Sequence, residues 1–505
     1  MRTNLIALVL GAGLATVAAA EEPLSAIDWL SDVAARPPEP PRPSALETPI
    51  TRSAAVEEIT VEELDAPLRD AVGLLPAEAN GFPTDLWSQS DTADLRSAMS
   101  AIPLDVISPV AQLYRDLLIS EQDPPTDTDA SGRFFLLRVD TLMARGAVED
   151  ALALINLAGA TDEAVFRRFF DLTLLRGEEA RGCAQLERLP GFAPSLQVRI
   201  FCLARAGDWP AAALTLRTAE SLGEVDPVEY ERLAVFLDPE LSESPLPQPD
   251  GTPSPLTFLI MDAIGEPVPA AGLPLAYSHA LLQPKNGWKA RITAAERLTR
   301  AGALDADALF SIYGERQPAA SGGAWDRIAA VRKLDAALET GGADDIASAL
   351  QPAWQAMATA GLGPAFAAFY GDRLAESPAR DRLQAIRIGL LSPSSEAIAR
   401  DARPQSDIDR YLVSLALGQP DERVAPDALS VAIADAFRDP PPPLSAALQN
   451  RLDENRRGEA LLVAMATIPR DKDGDLDSLV SALSLLRQVG LDDRARQIAL
   501  HLMLL

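Results

Sequence analysis

From about Ile107 onward, apolar residues recur at three- and four-residue spacings, which is the pattern of amphipathic helices that bury one face. Clear examples are Ile328 to Leu338, Ile346 to Ala358 and Tyr411 to Leu417. Ile59-Thr60-Val61, within an acidic run, fits either one short strand or an extended stretch. The pattern therefore predicts an all-α fold.

Several predicted helices end in the same way, with an arginine followed within three residues by a glycine. A second helix with an alanine-rich face follows the glycine in the first three copies, at Gly146, Gly177 and Gly207, and the ending returns at Gly302 and Gly490. Glycine supplies the left-handed backbone that ends a helix, and arginine in the last turn complements the carbonyl end of the helix dipole. The segments therefore predict helix-turn-helix units.

The first three glycines are 31 and 30 residues apart, within the roughly 20 to 50 residues typical of solenoid repeats. The units resemble tetratricopeptide and related helical repeats. The period is shorter than the roughly 34 residues of a tetratricopeptide, and the usual Trp, Tyr and Pro landmarks are not consistently placed. We expect an α-solenoid of helix-turn-helix repeats in two lobes, preceded by an extended Pro-rich N-terminal arm.

Proline clusters and the N-terminus predict the domain boundaries. Prolines crowd between Pro37 and Pro49 and again between Pro245 and Pro255, where they interrupt any helix. The predicted segments are a signal peptide at 1–20, a partly disordered arm at 21–95, helical-repeat lobe 1 at 96–240, a Pro-rich connector at 241–284 and lobe 2 at 285–505.

The first twenty residues have the layout of a secretory signal peptide. Arg2 precedes an apolar run from Leu5 to Val17, and Ala18-Ala19-Ala20 stands just before the polar Glu21. No later stretch reaches the roughly 18 to 20 apolar residues that span a bilayer. We therefore expect export to the periplasm, most simply of a Gram-negative bacterium, and no transmembrane segment in the mature chain.

The amino-acid composition argues against several kinds of partner and of catalytic mechanism. The chain of 505 residues carries a net charge of -28, with 73 acidic and 45 basic residues, which argues against nucleic acid as a partner. Only two histidines, two cysteines and four lysines are present, so most metal, thiol and Schiff-base mechanisms lack side chains. No nucleophile elbow, zinc-protease motif or phosphate-binding loop is found. No cofactor and no catalytic residue are predicted.

Cys183 and Cys202 are the only cysteines. Because exported thiols meet oxidising conditions, one disulfide between them is the preferred interpretation. Two buried free thiols are the alternative. A redox-active pair is disfavoured because the C-x-x-C spacing is absent.

Two acidic turns resemble parts of calcium-binding loops. Asp471, Asp473, Asp475 and Asp477 alternate around Gly474, but the glycine is misplaced and Ala482 occupies the twelfth position. Asp127 to Gly132 matches the first half of such a loop, but its twelfth residue is Arg138. For both segments, a turn that caps the next helix is the favoured interpretation. The turn with Asp471, Asp473, Asp475 and Asp477 remains a weak candidate for a calcium site.

The order of segments along the whole chain gives a second resemblance. Leu24 to Leu30, the proline tether, Leu86-Trp87, Ile200 to Trp209, Ala263 to Pro267 and Ala319 to Gly323 follow one another after the signal peptide. The chain is similar in this order to uncharacterised exported bacterial proteins sometimes labelled antifreeze glycopeptide polyprotein. That label implies tandem Ala-Ala-Thr tripeptides, which are absent here, so the resemblance implies family membership and no ice-binding activity.

These features favour a periplasmic helical-repeat protein that binds or scaffolds a protein or peptide, because stacked helix pairs form a concave surface. The alternatives are a carboxylate-based cell-wall hydrolase and a structural or motility-associated periplasmic factor. Glu376-Ser377 matches the Glu-Ser pair of lytic transglycosylases but lacks their downstream Gly-Leu-Met-Gln segment. A cleft that gathers carboxylates with aromatics would favour the hydrolase. The oligomeric state stays open.

Overall fold

A computed structural model describes residues 68–160, 162–242, 244–318, 320–469 and 474–505. Over these ranges the chain is all-helical, with no strand, which confirms the predicted helical class. The predicted signal peptide at 1–20 and the proline tether lie outside the described residues. None of the helices in this part of the chain combines the length and the apolar composition needed to cross a bilayer.

The described residues form 24 α-helices. In chain order they are α1 (Thr92–Ser100), α2 (Ser108–Ile119), α3 (Arg133–Ala144), α4 (Val148–Ala158), α5 (Glu163–Arg176), α6 (Glu179–Arg188), α7 (Leu196–Arg205), α8 (Trp209–Leu222), α9 (Pro227–Leu237), α10 (Pro255–Ala263), α11 (Ser278–Leu281), α12 (Trp288–Arg300), α13 (Ala306–Gly314), α14 (Ala324–Thr340), α15 (Ala343–Thr359), α16 (Gly363–Glu376), α17 (Leu383–Gly389), α18 (Ser395–Asp401), α19 (Asp407–Ala416), α20 (Ala428–Ala436), α21 (Ala446–Asp453), α22 (Arg457–Thr467), α23 (Leu476–Gln488) and α24 (Asp492–Leu504).

The glycines predicted to end helices have left-handed backbones. At Gly146, Gly177, Gly207, Gly302 and Gly490 the φ angles are 78°, 72°, 85°, 72° and 84°. In each turn the amide after the glycine donates to the carbonyl five residues earlier, at 2.8 to 2.9 Å. This is the Schellman arrangement, which satisfies carbonyls that a helix end would leave unpaired. Five separate helix pairs therefore share one turn geometry.

The arginines before these glycines act on neighbouring helices as well as on their own. Arg145 donates to carbonyl oxygens just after α1, Arg300 to one just after α15, and Arg487 to two at and after the end of α20, at 2.9 to 3.2 Å. The last carbonyls of a helix lack intrahelical donors and carry partial negative charge. Each of these arginines therefore ties one helix pair to the end of another.

The other two arginines form ion pairs between successive units. Arg176 pairs with Glu149, and Arg205 pairs with Glu179 at 3.0 Å. Both glutamates lie in the first turn of the second helix of the preceding unit. The same contact therefore joins the first unit to the second and the second to the third.

Buried apolar residues form two cores. The first contains residues from Phe82 to Ala280 together with residues from Ile386 to Met503, and the second contains Trp288 to Ile388. Helices α18 to α24 contribute to the same core as the N-terminal half of the described chain. The expected connector 241–284 contains α10, and its Leu256 and Phe258 are buried in the first core.

The segment before α1 is anchored in the first core. Trp87 is fully buried and meets Phe134 edge-on, with ring centroids 5.5 Å apart. Asp70 accepts the backbone amide of Phe135 at 2.7 Å and caps α3, whose own N-cap residue is a glycine without a capping side chain. The described end of the predicted arm is therefore part of the folded body.

Candidate functional site

One cavity in the described part of the chain has a volume of about 750 Å³. It lies between the end of α16, the loop 377–382, α17 and α18. Its lining consists of Asp372, Ala375, Glu376, Arg380, Asp381, Ala385, Ile386, Ser394, Ala397, Ile398, Asp401, Ala402 and Arg403. We call it the charged cavity. Its volume is within the range of roughly 300 to 1,000 Å³ that holds small ligands.

Glycines set the spacing of the helices around the charged cavity. A Cβ atom on Gly371 of α16 would lie 2.5 Å from Ser392 Cβ, and one on Gly389 of α17 would lie 2.9 Å from Ile398 Cδ1. The Ser392 hydroxyl donates to the carbonyl of Gly389 at 2.7 Å. The glycines therefore let α16 and α17 pack closely against the residues that follow α17, and Ile398 also lines the cavity.

Six charged side chains line the charged cavity: Asp372, Glu376, Arg380, Asp381, Asp401 and Arg403. All six are exposed. Within the described part of the chain, none of them forms an ion pair or a side-chain hydrogen bond with another residue. The cavity therefore presents charges of both signs, four negative and two positive, that other protein groups do not neutralise.

The charged cavity lacks the usual marks of a carboxylate-based active site. Its described lining includes no aromatic side chain, and its carboxylates are exposed. A catalytic acid ordinarily needs burial to hold its proton near neutral pH. Glu376 lines this cavity, but its neighbour Ser377 is buried. The Ser377 hydroxyl donates to the carbonyl of Leu374 at 2.8 Å and accepts from the amide of Ala379 at 3.1 Å, so its hydrogen bonds stabilise the turn.

A second cavity of about 460 Å³ lies where the two cores meet, on α15, α17, α19 and α24. It is lined by Gln351, Trp354, Leu383, Gln384, Arg387, Ile388, Leu391, Ile408, Leu412, Met503 and Leu504. We call it the seam cavity. Helix α17 separates the two cavities, because Ala385 and Ile386 face the charged cavity and Leu383 and Ile388 face the seam cavity.

The cysteines and the acidic turns have structural partners. Cys183 on α6 and Cys202 on α7 lie at disulfide distance, 2.02 Å between sulfurs. Of the calcium candidates, Asp471 and Asp473 lie outside the described residues, whereas Asp475 accepts the amides of Asp477 and Ser478 and caps α23. Over the described residues no group of three or more acidic, histidine or cysteine side chains is arranged to hold a metal ion.

The carboxylates in the turn from Asp127 to Gly132 likewise accept hydrogen bonds from other groups of the chain. Asp127 accepts from the amide and the hydroxyl of Thr92 at 2.9 and 2.8 Å. Asp129 accepts from the amide of Ser131 at 2.9 Å and from Arg133 at 3.2 Å. The pKa of Asp129 is lowered, first by the Ser131 hydroxyl, which also donates to it, and then by the Ser131 amide. At Asp127 burial raises the pKa, but the donors from Thr92 outweigh it and the net shift is downward. The carboxylates therefore order the start of α3.

Neither histidine lines the charged cavity or the seam cavity. His279 is buried, and its Nε2 lies 2.7 Å from the carbonyl oxygen of Gly146, so this nitrogen donates. Burial lowers the pKa of His279, and it lowers the pKa of His501 to about 4. Burial therefore favours the neutral form of both rings.

Sequence reasoning missed the charged cavity. Its charged residues come from α16, the following loop, the last residue of α18 and the segment just after it. Along the sequence they look like any other solvated surface. The available signal was Gly371 and Gly389, which permit close helix packing, but a lone helical glycine does not indicate a cavity. Over its described residues the fold belongs to the class of all-helical proteins. No family model, curated protein or solved structure matches this chain.

Proposed function

We propose that this chain is an exported helical-repeat protein that binds or scaffolds a polypeptide, and that the charged cavity is part of its binding surface. The observation that carries the proposal is the set of six unpaired charges of both signs around a cavity of ligand size. Exposed charges without protein partners can pair with a polar ligand without first breaking an internal ion pair. A peptide carries side chains and backbone groups that meet charges of both signs.

The recurring turns support the repeat architecture of the proposal. Five helix pairs share the left-handed glycine and its hydrogen bonds, and the Arg176–Glu149 and Arg205–Glu179 pairs repeat one interface. Repetition of both the unit and its interface is expected of a solenoid. On this proposal the repeats are related to the tetratricopeptide class, and the chain is a periplasmic member of the exported family that it resembles.

Site-specific photo-crosslinking in cells tests the binding surface. We place a benzoylphenylalanine at Ala397, which is exposed and lines the charged cavity, and a matched one at Ala447, which is exposed on α21 away from both cavities. We expect a discrete crosslinked polypeptide from position 397 only. Equal adducts from both positions, or none from either, would argue against the proposal.

Charge reversal tests the chemistry of the same surface. Glu376→Lys with Asp401→Lys should abolish the adduct from position 397. The control pair, Glu220→Lys with Glu224→Lys, changes two exposed acids on and just after α8 and should leave it intact. If the adduct still forms in Glu376→Lys with Asp401→Lys, these charges are not needed for binding.

Four carboxylates in one cavity, Glu376 among them, keep the cell-wall hydrolase as a second candidate. Release of soluble fragments from purified cell wall, lost in Glu376→Gln, would support the hydrolase and overturn the scaffold. Fractionation tests export separately: on this proposal the mature chain begins at Glu21, and we expect to recover it from the periplasm. Deletion of 1–20 should retain the protein in the cytoplasm.

A further inference from the structure

The seam cavity has a different chemistry from the charged cavity. Most of its lining is aliphatic, and Trp354 adds one aromatic ring. The ring of Trp354 packs edge-on against Phe366, with centroids 5.8 Å apart, so it is held by the second core although the residue is only partly buried. Apolar walls with a fixed aromatic ring favour a ligand with an aromatic or aliphatic body.

The charge in the seam cavity is already neutralised. Arg387 is its only charged lining residue, and its Nε and Nη2 donate to Asp409 Oδ1 at 3.0 and 2.8 Å. Asp409 is buried and also accepts from Ser406. A charged ligand would have to compete with this pair, whereas a neutral ligand would leave it intact.

Two side-chain amides remain available to a ligand at the edge of the seam cavity. Within the described part of the chain, Gln351 and Gln384 make no side-chain hydrogen bond to another protein group, although both line the cavity. An amide supplies a donor pair and an acceptor. It can therefore fix the orientation of a neutral polar group that is attached to an apolar body.

We infer that the seam cavity is a binding site for a small neutral ligand with an aromatic or aliphatic body and one neutral hydrogen-bonding group. Its volume of about 460 Å³ lies within the range of roughly 300 to 1,000 Å³ of ligand sites, which are frequent where separate cores meet. The inference concerns a different cavity from the proposed polypeptide surface and does not depend on that proposal.

Titration of the full mature chain with the neutral dye N-phenyl-1-naphthylamine tests the site. Leu383→Asp places a carboxylate on a lining residue that is 38% exposed and begins α17, where an acid suits the helix N-terminus. The matched control is Val228→Asp, 37% exposed at the second position of α9 and remote from both cavities. We expect one saturable dye site, about tenfold weaker in Leu383→Asp and unchanged in Val228→Asp.

Energy transfer locates the dye independently of the affinity change. Trp354→Phe should remove most of the tryptophan quenching by the bound dye. Trp325→Phe should retain it, because Trp325 packs at a tilt against Trp288 and does not line the cavity. Circular dichroism checks the fold of each variant. Absence of saturable binding, equal weakening by the two aspartates, or quenching that survives Trp354→Phe would overturn the inference.

Discussion

The backbone amide of Gly458 donates to the carbonyl oxygen of Leu86 at 3.1 Å, so the segment before α1 meets the start of α22 in one hydrogen bond. A Cβ atom at position 458 would lie 2.5 Å from that oxygen and 2.5 Å from the ring of Trp87. Glycine is therefore required for the close approach of α22 to the turn before α1. Arg457 reinforces the contact by pairing with Asp85 at 3.2 Å.

We expect Gly458→Ala to destabilise the protein by about 1 to 3 kcal/mol, because the added methyl group forces the buried Trp87 or the backbone to move. The measurement is the urea midpoint of unfolding. Gly314→Ala is the control, since a Cβ there meets nothing within 4 Å and alanine favours the helix by up to about 1 kcal/mol. A Gly458→Ala midpoint no lower than that of the wild type would show that this junction contributes little to stability.

Arg138 is fully buried and binds four carbonyl oxygens, those of Asp70, Val72, Leu118 and Ser120, at 2.7 to 3.3 Å. Arg138→Met should cost about 3 kcal/mol or more, because it leaves buried acceptors unsatisfied. Unfolding in urea measures the loss.

The control for Arg138→Met is Arg217→Met, an exposed change expected to lie within about 0.5 kcal/mol of the wild type. Limited proteolysis gives a second readout, because Arg138 holds the segment before α1. Cleavage between residues 68 and 90 should increase in Arg138→Met only. Unchanged cleavage would contradict this role.

The sequence pattern anticipated local features and missed distant ones. The glycine turns after Arg145 and Arg176 were predictable, because a helix end depends on residues within one turn of it. In the sequence, Arg138 was noticed only because it occupies the twelfth position of a possible calcium loop, where a glutamate is expected. Its structural role could not be predicted, because its hydrogen-bond partners lie 18 to 68 positions away. The contact between Gly458 and Leu86 leaves no periodic signal, because hydrophobic spacing reports the face that a helix buries and not the element it meets.

The same limit applies to the candidate site. Asp372 and Asp401 are each ordinary exposed acids in their own helices, and only the packing of α16 against α17 and α18 brings them to one cavity. The tight contacts at Gly371 and Gly389 are tertiary. The sequence therefore favoured binding over catalysis through its composition, without locating a surface.

Reduction of the Cys183–Cys202 pair should lower stability. The two residues are 19 positions apart, and a disulfide closing a loop of that size contributes about 3 kcal/mol. We expect Cys183→Ala with Cys202→Ala to unfold at correspondingly lower urea concentration. In denatured, unreduced wild-type protein, mass spectrometry after alkylation should detect no added alkyl group, and two after reduction. Two additions without reduction would contradict the disulfide.

The carboxyl group of Asp171 on α5 should lower the free energy of unfolding at neutral pH. Burial raises the pKa of this carboxyl group to about 6, against the attraction of Arg167 and Arg168. Because the folded-state pKa is above the unfolded value, its stabilising contribution is complete below about pH 4 and is lost as pH rises through 6. Asp171→Asn should therefore stabilise by about 2 to 3 kcal/mol at pH 7.5. The gain should shrink towards pH 4, and a gain independent of pH would have another cause.

His501 has the opposite pH dependence. Burial in α24 lowers its pKa to about 4, below the ordinary value near 6.5. Its contribution to stability is therefore complete above about pH 6.5 and is lost as pH falls through 4, by up to about 3 kcal/mol. His501→Gln should flatten this loss between pH 6.5 and 4, as measured by urea midpoints. Since Asp171 gains stability over the same range as pH falls, the wild type alone would show only the difference of the two effects. We therefore expect the loss of stability towards acidic pH to be steepest in Asp171→Asn and smaller in Asp171→Asn with His501→Gln. If these two variants have the same pH profile of stability, the role of His501 is refuted.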